Sequence, residues 1–133
     1  MAKYIPNKPF EVDGEELKIK LGEDAPELIL TPHQLLKFSG EQFPGDTIAK
    51  WRPVNEMLDK LKEYDDEPSE LIEIENAWWT AISDHLDKVV SRFWGKNAVA
   101  IWDDLLDRMA AEADKRSAAD ESKHAKGSGK QGK

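Results

Sequence analysis

The sequence predicts a small α+β protein that is mostly helical, with a short N-terminal antiparallel hairpin or meander packed on a bundle of about four helices. Two observations carry this prediction. An Asp-Gly step separates two short apolar runs early in the chain, which favours a tight hairpin. Downstream, apolar residues recur at helical spacing. We therefore expect an extended arm at 1–9, one domain at 10–115 with its β part at 10–30 and its helices within 32–115, and a disordered basic tail at 116–133.

Prolines and one glycine shape the predicted N-terminal part. Pro6 and Pro9 lack amide donors and restrict the residues before them, so the arm should be extended. Gly14 accepts a positive φ without a Cβ clash, which suits the turn of the hairpin. The run after the turn alternates apolar and charged residues, so one face is apolar: Leu17, Ile19 and Leu21. Residues 27–30 add a third short strand, and a sheet this small should rest on helices.

The first helical segments begin at polar caps. A short helix starts at Thr31, whose hydroxyl precedes a proline, and it should stop before Gly40. Asp46 is the predicted cap of the next turn. Pro53 then interrupts the pattern, and the main run of this segment follows at 54–64.

The longest helix is predicted from Ser69 to Phe93. Gly95 should break it, because glycine commonly ends helices. Asn97 is the predicted cap of the last helix, which keeps its apolar pattern as far as Ala113.

The longest predicted helix carries more apolar residues than one narrow seam needs. Its main stripe consists of Leu71, Ile74, Trp78, Ile82, His85, Val89 and Phe93. Four further residues widen that stripe: Ile72, Trp79, Leu86 and Val90. An arc this broad implies packing on two sides, or packing on one side plus a partner. We therefore take these four as the candidate partner-binding residues, centred on Trp79 and Val90.

The five Trp residues are the best candidate anchors for a partner, since Trp is enriched among the residues that dominate interfaces. Trp78 and Trp79 point about 100° apart on a helix, so both cannot lie deep in the same stripe. We assign Trp78 to the main stripe and Trp79 to its exposed flank. The alternative places all five in the core, and we favour it for Trp51, Trp94 and Trp102.

The charge is unevenly spread along the chain. Residues 115–133 contain six basic and two acidic side chains, a net of +4, and the formal total of −8 leaves −12 on residues 1–114. An acidic body repels phosphate backbones, so the body should not contact nucleic acid directly. We interpret the tail as a solubilising disordered end, although a basic tail also suits an acidic surface.

Several classes of chemistry lack the residues that they need. The chain has no Cys, which excludes disulfides, Cys-ligated metals and thiol catalysis. The tail sequence Gly127-Ser128-Gly129-Lys130 is not a phosphate-binding loop, because Gln131 follows the lysine and no strand precedes it. We expect a protein that is not an enzyme and that carries no cofactor.

The His and Asp residues do not form a predicted metal site. His85 has no ligand one turn away, so we expect it to be buried and hydrogen-bonded. Asp103, Asp104 and Asp107 share one helix face, whereas hard cations need oxygens that converge from a shaped loop. We therefore predict a solvated acidic face, and no catalytic or metal-ligating residue.

The apolar content also bears on location. No segment approaches the about 18–20 apolar residues of a membrane span, and the first nine residues lack the apolar run of a secretory signal. The absence of Cys fits a reducing compartment. We expect a cytoplasmic protein without membrane contact, located in the host cytoplasm if a phage encodes it.

An extended arm, a hairpin from Val12 to Ile19, amphipathic helices and a polar tail follow one another. This order resembles that of the tail assembly chaperones of long-tailed bacteriophages, over residues 8–113. The resemblance implies a small cytosolic protein that binds the tape-measure protein, recruits tail-tube subunits and is absent from the finished virion. Many such chaperones also exist in a longer frameshifted form, with which the Gly- and Lys-rich end is compatible.

Two other functions stay open. One is a structural subunit of a phage, such as a head–tail connector component, which would assemble permanently. The other is an acidic inhibitor that occupies a nucleic-acid-binding cleft by charge mimicry, which the −12 body favours. Binding to further copies of the same chain is left open as well.

Overall fold

A computed structural model describes residues 2–20 and 23–127, with side chains as far as Ser117. Over these residues the chain forms ten elements: β1 (Ala2–Pro6), β2 (Glu11–Val12), β3 (Glu15–Glu16), β4 (Lys18–Lys20), β5 (Glu27–Ile29), α1 (Pro32–Glu41), α2 (Ile48–Asp66), β6 (Leu71–Glu75), α3 (Asn76–Trp94) and α4 (Ala98–Gly127). A short 3-10 turn joins α3 to α4. The predicted class, α+β and mostly helical, is confirmed. The bundle has three long helices, α2, α3 and α4, with the shorter α1 beside them.

The predicted hairpin is confirmed. Asp13 and Gly14 connect β2 to β3 with φ angles of +56° and +82°, a left-handed backbone that glycine adopts at little cost. β4 pairs antiparallel with β5, so that Ile19 lies opposite Leu28. Leu21, which we predicted on the same apolar face, lies outside the described residues.

Three backbone hydrogen bonds tie these strands into a ring. The amide of Phe10 donates to the carbonyl of Leu30 at 2.9 Å, and the amide of Leu30 donates to Leu17 at 2.8 Å. The amide of Leu17 donates in turn to Phe10 at 2.9 Å. The side chains of Phe10 and Leu30 are buried, so this ring seats the small sheet on the core, as expected for a sheet too small to be stable alone.

The segment at 71–75 is a strand, which corrects the prediction of a helix that starts at Ser69. β6 pairs antiparallel with β1, and Ile5 lies opposite Ile72. Ile72 and Ile74 point inward and alternate with glutamates, which is the period of two of a β-strand. Apolar residues of this segment also fit the spacing of a helix, which is why the sequence predicted one. Ser69 forms a turn before β6 rather than a helix cap, because its Oγ accepts a hydrogen bond from the amide of Leu71.

α1 begins as predicted and ends later than predicted. Thr31 caps it by accepting a hydrogen bond from the amide of Gln34. The helix continues through Gly40 to Glu41. Gly40 lies against α2, and a Cβ there would stand 2.7 Å from Cδ2 of Leu58. The glycine is therefore a site of close helix packing and does not end the helix.

α2 runs continuously through Pro53, which corrects the predicted interruption. Pro53 cannot donate to the carbonyl of Ala49, but Ala49 is exposed, so water can satisfy that carbonyl. The cap is Thr47, which accepts from the amide of Lys50 at 3.2 Å. Asp46, the predicted cap, instead pairs with the Lys50 ammonium at 2.9 Å, and this hydrogen bond and charge lower the pKa of Asp46.

α3 ends at Gly95, as predicted, where φ is +50°. Asn97, the predicted cap of the next helix, belongs to the 3-10 turn. α4 then continues to Gly127, so the prediction of disorder was wrong for residues 116–127. Missing apolar periodicity indicates missing tertiary packing, but a segment with three Ala, two Lys and one Arg among its twelve residues still favours helical backbone. The predicted disorder at 128–133 lies outside the described residues.

α3 is the centre of the core. It contacts α1, α2, α4 and β6, and α4 also packs along β1. The largest fully buried side chains come from every layer of the fold: Phe10, Ile5, Leu30, Leu35, Leu36, Met57, Leu61, Ile72, Ile74, Ile82, Leu86 and Ile101. Within the described part of the chain, no helix is long and apolar enough to cross a membrane.

Candidate partner-binding groove

α4 carries two apolar stripes. One faces the core and consists of Ala98, Ile101, Leu105 and Met109. The other lies on the next face of the helix and stays partly or fully exposed: Val99, Trp102, Leu106, Ala110 and Ala113. Successive residues of the second stripe are three or four positions apart, so they form a continuous surface ridge. The described residues leave this ridge without a covering element.

A groove runs along this second stripe. Trp79 of α3 stacks on Trp102 of α4, with ring centroids 6.1 Å apart and planes at 25°. The stacked pair divides the groove into two hollows, which we call the basic hollow and the acidic hollow. Together they form the α3–α4 groove.

The basic hollow lies between α3, the second half of α4 and the start of β1. Its volume is about 670 Å³. Apolar side chains make its floor: Trp79, Leu106, Met109, Ala110 and Ala113. Lys3, Tyr4 and Arg116 stand at its edge, and the Arg116 guanidinium carbon lies 3.5 Å from the centroid of the Tyr4 ring. Arg116 is therefore held in place by a cation–π contact.

The acidic hollow lies on the other side of the tryptophan pair. Its volume is about 270 Å³, with Val90, Val99 and Trp102 among its apolar lining. Asp87 and Asp103 stand at its edge, and both are exposed. The two hollows therefore carry opposite charge at the two ends of one apolar groove.

Two of the four predicted partner-binding residues line this groove. Trp79 is half-buried and lines the basic hollow. Val90 lines the acidic hollow, although only 1% of it is exposed. Ile72 and Leu86 are fully buried in the core, so the prediction that they face a partner is corrected. Ile72 was misplaced because it belongs to β6, and Leu86 because α3 is covered on several sides.

Trp102 and the exposed face of α4 were missed from the sequence. We assigned Trp102 to the core, whereas it is half-buried and stacked in the groove. Trp51 and Trp94 are likewise half-buried, with one side packed against the core. The sequence does contain a signal for the groove, because apolar residues recur every three or four positions from Val99 to Ala113. These residues alternate along the chain with those of the core-facing stripe, so the second stripe was not recognised.

One arginine fixes the arm that borders the groove. The guanidinium of Arg108 donates to the carbonyls of Pro6 at 3.2 Å, Lys8 at 2.6 Å and Pro9 at 3.1 Å. It also makes a bidentate pair with Asp104 at 3.1 and 2.9 Å. The prolines lack amide donors but supply acceptors, so the arm is bound to α4 through its carbonyls. This contact, together with β6, positions the part of β1 that edges the basic hollow.

The structure describes the side chains of two histidines, His33 and His85, and both lie in structural surroundings. His33 places Nε2 at 3.0 Å from the carbonyl of Leu61 and at 3.1 Å from Oδ1 of Asp65, which also binds Lys37. Asp65 therefore joins α1 to α2. This arrangement presents no nucleophile beside a base, and the described residues contain no cluster of three metal-ligating side chains.

His85 is half-buried between α3 and α1. Its Nε2 atom is fully buried without a hydrogen-bond partner among the described residues, so the predicted hydrogen bond is missing at that atom. Burial lowers the pKa of His85, and the nearby charges of Lys88 and Arg92 lower it further. A hydrogen bond with the backbone of Ser39 opposes this shift.

Comparison with known proteins adds no assignment. The chain matches no protein-family model, no curated protein and no solved structure. The likeness to tail assembly chaperones stays a prediction from the order of segments.

Proposed function

We propose that this protein is a non-enzymatic binding protein that shelters an apolar helical segment of another protein in the α3–α4 groove. The second apolar stripe of α4 carries this proposal. An amphipathic helix that lies in an apolar groove is a common mode of peptide recognition, read through residues at i, i+3, i+4 and i+7. The stripe of α4 offers the matching spacing.

The tryptophan pair supports the proposal that the groove binds a segment of another protein. Trp79 and Trp102 expose part of their rings between the two hollows, where a partner side chain on either side would contact an aromatic surface. Aromatic residues near the centre of a contact surface often supply most of its binding free energy. Charged residues at the ends of the groove then orient the bound segment.

The specific function that we propose is tail assembly chaperone of a long-tailed bacteriophage. The partner is then the tape-measure protein, which by resemblance such a chaperone coats while it recruits tail-tube subunits. Support comes from the order of arm, hairpin and helices in the sequence and from the apolar groove along the second stripe of α4. The cytoplasm of the host is the proposed compartment.

The proposal predicts that a tape-measure protein is encoded beside this chain, and co-expression of the two proteins tests it. We expect the tape-measure protein to become soluble and to copurify with this chain. Trp79→Ala and Leu106→Lys should weaken that association at least tenfold without loss of helicity by circular dichroism. Ile48→Lys is the matched control, because Ile48 is 76% exposed on α2, away from the groove.

Two outcomes would contradict the proposal. If Trp79→Ala and Leu106→Lys bind the tape-measure protein as strongly as Ile48→Lys does, the groove is not the partner site. If the chain is found in purified virions, it is a structural subunit rather than a chaperone. Loss of helicity in Trp79→Ala would instead assign that side chain to the core, and Leu106→Lys would then be the deciding variant.

A further inference from the structure

The α3–α4 groove has opposite charges at its two ends, and these ends are well separated. Asp103 edges the acidic hollow and Arg116 edges the basic hollow. Thirteen residues of one helix separate them, which corresponds to about 20 Å along α4. Asp87 adds a second carboxylate at one end, and Lys3 adds a second cation at the other. The two ends of the groove therefore carry opposite charge, which is what an antiparallel pairing of two copies requires.

We propose that in the free protein a second copy of this chain covers the α3–α4 groove, with the two α4 helices antiparallel about a twofold axis. In that arrangement the acidic hollow of each copy faces the basic hollow of the other. A parallel arrangement would set like charges against each other. Isologous contacts of this kind, in which residue i meets residue j and j meets i, are the commonest form of oligomer interface.

The centre of the groove suits close approach of two helices. The midpoint between Asp103 and Arg116 falls between Met109 and Ala110. Ala110 and Ala113 are exposed, and their small side chains let a second backbone come near. Leu106, which is 39% exposed, lies one turn away and would pack across the axis. The 3-4 spacing of the stripe is also the spacing of helix-pairing seams.

The size of the groove predicts a weak dimer. From Val99 to Arg116 the stripe is about 26 Å long. Two adjacent helices with axes about 10 Å apart make it about 20 Å wide, or about 500 Å² per copy. A standard stable interface buries about 800 Å² per partner. We therefore expect a dimer that dissociates at micromolar concentrations and that becomes weaker as salt screens the end charges.

This dimer would regulate access of a partner to the α3–α4 groove. Each copy covers the groove of the other, so a partner segment must displace it. The regulatory role rests on the proposed function, whereas the dimer itself does not. Weak self-association would protect the apolar stripe of the free chain and still yield to a partner that binds more tightly.

Charge reversal tests the antiparallel geometry. Sedimentation equilibrium of the full chain should show a monomer–dimer equilibrium. Asp103→Lys alone and Arg116→Glu alone should each weaken it about tenfold, because the twofold axis repeats every substituted contact. The two substitutions together in one chain should restore it, since each reversed position then meets its complement. A parallel dimer would not be restored.

Further variants guard against loss of folding. Leu106→Lys should abolish the dimer, and Ile48→Lys should leave it unchanged. Arg116→Glu also removes the contact with Tyr4, so circular dichroism must show native helicity. If it does not, Lys3→Glu and Asp87→Lys provide the second reciprocal pair at the same two ends.

The outcomes separate this inference from the proposed function. A chain that stays monomeric at about 0.5 mM and low salt would overturn the dimer, whatever it binds. Dimerisation that the double reversal does not restore would overturn the antiparallel geometry. A dimer whose strength follows the predicted order would stand even if the tape-measure protein does not bind, and in that case only the proposed function fails.

Discussion

The two apolar stripes of α4 have similar composition and spacing but different surroundings. The stripe with Ile101 and Leu105 is covered by α3, β1 and the arm, whereas the stripe with Trp102 and Leu106 is covered only on one flank by Trp79. Spacing shows that a helix has an apolar face. What covers that face depends on elements far away in the sequence. The difference between the stripes is therefore the clue to function.

The sharpest test of this comparison uses two adjacent leucines. Leu105→Ala should lower the free energy of unfolding by about 2–5 kcal/mol, because Leu105 is fully buried and its removal leaves a cavity. Leu106→Ala should cost less than about 1 kcal/mol, because Leu106 already contacts water. Urea denaturation followed by circular dichroism measures both. Equal losses would mean that the second stripe is as well covered as the first.

A smaller loss of stability is expected from a substitution of Arg108. This residue lies on the flank of the core-facing stripe that is opposite the groove. Arg108 holds the arm against α4 by donating hydrogen bonds to three carbonyls of the arm. Its guanidinium also stacks on Phe10, with the guanidinium carbon 4.6 Å from the ring centroid. Arg108→Ala should destabilise the protein by about 1–3 kcal/mol, since it leaves Asp104 and the arm carbonyls without this donor. Arg108→Lys should recover only part of the loss, because an ammonium cannot form the bidentate pair.

Hydrogen exchange would localise the effect of Arg108→Ala. Faster exchange confined to the amides of β1 and β6 would confirm that the arginine holds the arm. Uniform acceleration across α3 and α4 would show instead that the arginine supports the whole fold. Arg52→Ala, an exposed arginine on α2, is the control and should change neither stability nor exchange.

On the groove side, Trp79→Ala should cost about 1 kcal/mol of stability through the lost stack on Trp102. Its larger effect should fall on self-association, which we expect to weaken several-fold. Trp102→Ala should give a similar pattern. Fluorescence of the remaining tryptophans on dilution would follow the dimer directly. A large loss of stability without any change in self-association would show that Trp79 and Trp102 belong to the core and do not form part of the binding groove.

The smallest expected effect is a pH dependence of stability that comes from His85, whose buried Nε2 atom has no hydrogen-bond partner among the described residues. Its pKa is lowered below 6.5 in the folded protein, so below about pH 6.5 the unfolded state binds a proton that the folded state does not. Stability should therefore fall as pH drops below 6.5 and level off beneath the folded pKa. Denaturation midpoints compared between His85→Phe and the parent chain would isolate this contribution, since the variant should lose it.

Local signals in the sequence sufficed for several elements and failed for others. The hairpin at Asp13-Gly14, the cap at Thr31 and the break at Gly95 each depend on residues within one turn, and each was predicted. β6 was missed because its partner β1 lies about seventy residues away, and local spacing could not choose between two periods.

The same limit applies to the candidate site. Trp79 was identified because adjacent tryptophans cannot share one helix face. Trp102 was not, because its exposure depends on how α3 crosses α4. The contacts of Arg108 with Pro6 and Pro9 could not be predicted at all, since carbonyl acceptors have no sequence signature. The sequence identified Trp79 of α3, which is one side of the candidate groove, but it missed the exposed stripe of α4, because tertiary packing determines which face of a helix is free.

The pairing of β1 with β6 has a consequence for the order in which the molecule is completed. A chain leaves the ribosome from its N-terminus at about 5–20 residues per second. Lys3 and Tyr4, which edge the basic hollow, emerge more than a hundred residues before Arg116 at the same hollow. The arm can therefore pair with β6 only after Glu75 has emerged, and it can dock on α4 only later still. A nascent chain cannot form the basic hollow before Arg116 has emerged, so capture of a partner there would begin only after that point of synthesis.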